Sequence, residues 1–101
     1  MGTRATIKFQ DEYGDCYYVY RGKDGFPDNI IPDIENTIKE VRWLWDGSEL
    51  GLFVANFIGR TFKKDKRINS YELTLSFHGD ESYKYYVSYN SKEKKWDINY
   101  E

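Results

Sequence analysis

The chain has 101 residues, room for one core and too little for a separate catalytic or linker module, so a single α+β domain is expected over 1–101. With 40% hydrophobic and 32% charged residues and a formal net charge of -2, it is not composed like a disordered chain, nor does it carry the basic excess that binding many phosphates requires. Aromatic residues make up 19% of the chain, and ten of them are tyrosine, a bias that asks for a cause.

Cys16 is the only cysteine, which rules out an intramolecular disulfide and a cysteine-rich zinc site and points to a reducing, cytoplasmic setting. No apolar run nears the roughly 20 residues of a membrane span, and the first four residues lack a signal peptide's apolar stretch, so no membrane association is expected.

Residues 3–10 alternate Ala5, Ile7 and Phe9 against Thr6, Lys8 and Gln10, the period of a half-buried strand. A turn at 11–14 leads to a second strand over 15–21, and the short connection predicts a hairpin. Breakers at 22–27 precede Asp28-Asn29, either of which can cap a helix. Ile30, Ile34, Ile38, Val41 and Trp45 then follow at steps of four, four, three and four, one helical stripe, with Pro32 tolerable in a first turn.

Asp46 to Glu49 resembles a capping box and opens a second helix. Its core face is Leu50, Phe53, Val54, Phe57 and Ile58, and Gly59 is placed to end it. Residues 60–67 hold five basic side chains against Asp65 and read as a basic loop. Three strands follow, with Tyr71, Leu73, Leu75 and Phe77, then Tyr83, Tyr85, Val87 and Tyr89, then Trp96, Ile98 and Tyr100 on alternate positions, separated by turns at 78–81 and 90–94.

The expected order is ββααβββ, an antiparallel sheet of about five strands with two helices on one face. That face absorbs much of the aromatic excess as core. Tyr17 and Tyr86 fall on the opposite face, and Trp43 lies about 180° from the isoleucine stripe, so these three are candidate partner-binding residues. The open face can also take a second copy as a homodimer.

Three segments carry a resemblance: Met1-Gly2-Thr3-Arg4, Tyr20-Arg21 with Asp24-Gly25-Phe26-Pro27, and His78-Gly79-Asp80. Together they resemble a family of small bacterial and phage proteins whose loop reads Tyr-Arg-His-x-Asp-Gly-Tyr-Pro; Gly22-Lys23 stands here in place of His-x. The match runs end to end and is thin in the helices. It implies this fold and a prokaryotic or phage setting, and it carries no activity with it.

The chemistry-bearing residues are few. Cys16, His78 and Asp80 contain a thiol, a base and a carboxylate, yet Cys16 among bulky strand residues reads as a small apolar filler. Asp24, Asp28, His78 and Asp80 are metal-ligand types, yet each is also an ordinary turn or cap residue, so no metal and no cofactor are expected. No P-loop, GxGxxG, HExxH or GxSxG pattern occurs, and no enzyme activity is expected.

For nucleic acid, the basic 60–67 segment with Tyr17, Tyr86 and Trp43 offers charge and stacking, but the overall acidity argues against it. Residues 28–50 carry six acids against Lys39 and Arg42 beside Trp43, which is either a solvated helix face or an acid-ringed anchor for a basic protein. The leading expectation is a non-catalytic module that binds a protein partner, in its specific form a phage-encoded inhibitor of a host defence, CRISPR-type nuclease. The alternative is a small-ligand or nucleotide-sequestering protein, with Arg21, Asp24, Phe26, His78 and Asp80 as its ligand-binding residues.

Overall fold

The computed structural model describes residues 2–41, 49–65 and 71–101. The elements run β1 (Ala5–Gln10), β2 (Cys16–Arg21), α1 (Pro27–Val41), α2 (Leu50–Asp65), β3 (Tyr71–Thr74), β4 (Tyr83–Asn90) and β5 (Lys95–Tyr100). This is the expected ββααβββ order, and the fold is α+β.

The sheet is mixed rather than antiparallel throughout. Its order is β3-β2-β1-β4-β5, and β1 runs parallel to β4 with Ile7 opposite Tyr85 and Phe9 opposite Val87. Burial explains the arrangement. Ala5, Ile7 and Phe9 are at most 1% exposed, so β1 takes the central place, where neighbours on both sides leave no edge to water. The 78–81 turn consequently does not close a hairpin. It belongs to a crossover from β3 over the helix-free face to β4.

Both helices lie on the other face. Phe9 is the hub, with ring centroids 5.9 Å from Phe53 and 5.4 Å from Phe57. Phe57 reaches Tyr71 of β3, while Phe53 stacks on Trp96 of β5. Leu50, Phe53, Val54 and Phe57 are all at most 3% exposed, and burying each side chain is worth about 1.5–3 kcal/mol before entropy.

The helices depart from expectation in three places. Phe26 rather than Asp28 precedes the first helical residue, and its carbonyl accepts from the amides of Asn29 and Ile30. Pro32 therefore lies inside α1, one turn beyond its start, on the exposed side where the unmatched Asp28 carbonyl can meet water. Gly59 does not end α2, which runs on to Asp65. Gly59 faces open space while Thr61 at 2% exposure continues the buried stripe and donates to the Phe57 carbonyl. The first six residues of the expected basic loop are thus helix. Trp43, Trp45 and the Asp46 cap lie outside the described residues.

β3 also stops short. Leu73 follows Tyr71 on the helix face but is 68% exposed, and Leu75 is 95% exposed beyond the strand end. The alternation then resets, and Phe77 turns onto the opposite face against Tyr18 and Tyr86.

Candidate functional site

The loop from Gly22 to Phe26 is built against the chain's start. Asp24 adopts a left-handed φ of 56°, which turns the backbone so that Gly25 lies flat against β1. A side chain at Gly25 would put its Cβ 2.6 Å from that of Ala5, so glycine is required there. The Gly25 amide donates to the Thr3 carbonyl at 2.9 Å, and its own carbonyl accepts from the Tyr85 hydroxyl at 2.7 Å. The Asp-Gly-Phe-Pro tetrapeptide thereby sets the start of α1 on β1 and β4. Phe26 stays 46% exposed, its ring 6.2 Å from that of Tyr83 in a T-shaped contact.

Arg21 closes the other side of that loop. Its Nε donates to the Lys23 carbonyl at 2.8 Å, its guanidinium lies 4.8 Å over the Tyr71 ring, and it stands 3.8 Å from Asp33. Asp33 is 4% exposed and accepts from the Tyr71 hydroxyl at 2.8 Å. Burial and then the Asp33 charge push the Tyr71 phenol far up. This knot ties α1 to β2 and β3.

His78 and Asp80 belong to the crossover. The His78 ring stacks on Tyr20, and its Nε2 is 2.9 Å from the Thr74 hydroxyl. Asp80 pairs with Arg4 at 3.3 Å. Glu81 organises the turn, accepting from the Thr6 hydroxyl and from the amides of His78 at 2.9 Å and Gly79 at 2.7 Å. Burial alone would raise the Glu81 carboxyl, but those hydrogen bonds outweigh it and hold the group below its ordinary value.

The two turns therefore flank the same segment, Gly25 touching Thr3 and Asp80 touching Arg4. Among the described residues, no hydrogen bond or ion pair joins Asp24 to His78 or Asp80, and no three of His, Cys, Asp and Glu converge as metal ligands. Cys16 pairs with Gln10 at the opposite end of β2, about 13 Å from Tyr20 and the imidazole stacked on it. A cysteine nucleophile is not assembled with His78.

Of the candidate partner residues, Tyr86 lies on the helix-free face as expected, half-buried, with its hydroxyl donating to Glu101 at 3.0 Å. Tyr17 does not. Register places it opposite Phe9, on the helix face, and its hydroxyl borders Gly51 of α2. Period two counted back from buried Val19 puts Tyr17 with the core, and only its place at the strand's beginning leaves it 43% exposed. Tyr18 and Tyr20 are the β2 tyrosines of the helix-free face. Trp43 is outside the described residues.

One concavity involves none of these positions. A groove of about 540 Å³ opens between α1, which contributes Glu35, Ile38 and Lys39, and the β4–β5 hairpin, which contributes Tyr89, Lys94, Lys95, Trp96 and Ile98. Sequence reasoning missed it because Lys39 and Lys94 are far apart in the chain and are brought together only by the packing of α1 on the sheet. A period count could have flagged Ile38, which belongs to the core stripe and is only partly buried.

No family model, no curated protein and no solved structure matches this chain. Among the described residues, no helix is long and apolar enough to cross a membrane.

Proposed function

We propose that this is a non-catalytic binding domain that takes a protein partner along its β3 edge. The observation that supports it is the exposure of Leu73 and Leu75, 68% and 95%, on and just beyond an edge strand. A natural edge is normally blunted by charge, proline or cover, because its outward amides and carbonyls otherwise invite another strand. Here the register that pairs Val19 with Leu73 and Tyr18 with Thr74 carries Leu75 to the level of Tyr17, just beyond the last paired residue of β3. An extended segment of a partner laid along residues 71–75 gains main-chain hydrogen bonds and covers these side chains. The resemblance to phage proteins makes a bacterial defence nuclease the first partner to try.

The test compares the wild type with the Leu73→Asp, Leu75→Asp double variant against a panel of such nucleases, with circular dichroism to verify folding. Binding that disappears in the folded variant, together with slowed amide exchange at 71–75 in the wild-type complex, supports the reading. Binding untouched by the double substitution sinks it. Concentration-dependent self-association that the substitutions remove would assign the edge to a second copy instead.

A further inference from the structure

The groove between α1 and the β4–β5 hairpin is independent of the β3 edge, and its chemistry is different. We propose that it binds an aromatic phosphomonoester, a nucleoside monophosphate being the class that fits. Three ammonium groups, those of Lys39, Lys94 and Lys95, line it with one carboxylate, Glu35. Lys95 also stands 3.7 Å from Glu93, which leaves Lys39 and Lys94 against Glu35 and a net positive charge of one, the sign required by a phosphate monoester of about -1.5 to -2 at pH 7. This local excess sits on a chain whose overall charge is -2, so it is not a reflection of general basicity.

The remaining walls are apolar or aromatic. Ile38, Tyr89, Trp96 and Ile98 border the same space, and Trp96 is held from below by Phe53 at 4.3 Å and from the side by Tyr89 at 5.3 Å. A cavity of about 540 Å³ lies within the range of small-molecule sites, roughly 300–1,000 Å³, that combine apolar walls with a few placed polar groups. Glu35 can accept from a base amine or a sugar hydroxyl, and the lysines meet the phosphate.

The hairpin that presents the lysines is fixed in advance. Glu12, from the β1–β2 turn, accepts from the Ser91 amide and, at 2.8 Å, from the Ser91 hydroxyl. The Asn90 side chain accepts from the amides of Lys92 at 3.0 Å and Glu93 at 3.2 Å. Lys94 itself occupies a left-handed φ of 53°, where glycine or asparagine is the ordinary choice. The turn thus carries an amine at a position its backbone would rather give to glycine, which makes Lys94→Gly an unusually clean probe.

The experiment is calorimetric titration at low salt with the four nucleoside monophosphates, the matching nucleosides and inorganic phosphate. Trp96 indole N–H shifts by NMR locate the binding. Expected is binding by monophosphates, with nucleoside alone and phosphate alone each weaker by about tenfold or more, since each lacks one half of the site. Lys94→Gly should weaken binding about tenfold without lowering the melting temperature, and Lys39→Ala should weaken it similarly. The proposal is overturned if no monophosphate binds at millimolar concentration, if inorganic phosphate binds equally well, or if the Lys39→Ala, Lys94→Gly double variant keeps full affinity. Tighter binding of a 5′-phosphorylated oligonucleotide than of any mononucleotide would overturn a free nucleotide as the source.

Discussion

Tyr20 and His78 lie ring on ring, their centroids 3.8 Å apart and their planes 14° from parallel. Tyr20 sits on the face without helices and is still only 7% exposed, because the crossover from β3 to β4 covers it. Phe77 packs between Tyr18 and Tyr86 on the same face, with Lys84 5.3 Å from its ring. The uncovered face is therefore partly roofed by eight residues of loop, and the crossover is as much a packed element as a connection.

His78→Ala removes that stack and the contact with Thr74. An aromatic pair is worth about 0.5–1.5 kcal/mol beyond its area, so a loss of about 1 kcal/mol is expected in urea unfolding. Amide exchange at Ser82 and Tyr83, which donate to the Arg4 carbonyl, should quicken more than exchange in α2. Unchanged exchange there would show that the imidazole does not hold the crossover.

Glu81 makes the crossover sensitive to acid. Its carboxyl is held below the ordinary value in the fold, so the folded state binds the proton later than the unfolded chain does. Stability from this group is complete above the unfolded carboxyl range near 4.5 and is lost as pH falls through the lower folded value. Glu81→Gln should flatten that acid limb and, by weakening three hydrogen bonds to a charged acceptor, lower stability at pH 7. Urea midpoints measured between pH 3 and 7 check both signs.

What the sequence disclosed follows from which contacts are local. The β1 alternation and the stripe from Leu50 to Ile58 concern neighbours within one element, and the structure agrees with them, whereas Tyr17 of β2 lies on the helix face and not on the open face expected for it. The parallel pairing of β1 with β4 is a contact between distant segments, and nothing in either strand's alternation encodes its neighbour. Continuing the Tyr71 alternation sets Phe77 on the Tyr71 face, but the strand ends at Thr74 and Phe77 packs against Tyr18 on the other. The Asp24-to-Pro27 loop was conspicuous in sequence for a reason the structure supplies, since Gly25 has no room for a Cβ. The groove could not be read at all, its lysines being ordinary surface residues until the sheet brings them beside α1.

Alkali acts on the tyrosines in the opposite sense from acid on Glu81. Burial raises the phenols of Tyr71 and Tyr85 far above 10.0, and raises Tyr20 and Tyr86 as well. A raised phenol keeps its proton in the fold while the unfolded chain loses it. Their contribution is thus complete below pH 10 and falls away as pH climbs beyond it. Tyr71→Phe and Tyr85→Phe should each reduce the steepness of alkaline unfolding above pH 10. At pH 7, Tyr71→Phe should cost about 1–3 kcal/mol because it leaves buried Asp33 short of a donor.

Gly59 decides between two readings of α2 by the sign of one substitution. If glycine ended the helix in a left-handed conformation, a side chain would be strained there and Gly59→Ala would destabilise. In the structure the helix continues to Asp65, and a Cβ at Gly59 would meet no atom within 4 Å. Alanine then gains the helix propensity that glycine lacks, about 1 kcal/mol at an interior exposed position. Gly59→Ala should raise the urea midpoint with an unchanged slope. The gain should be larger than that of Gly51→Ala, where the new methyl would lie 3.4 Å from the Tyr17 hydroxyl. A lower midpoint for Gly59→Ala would mean that α2 ends where the glycine stands and that Thr61 does not belong to its buried stripe.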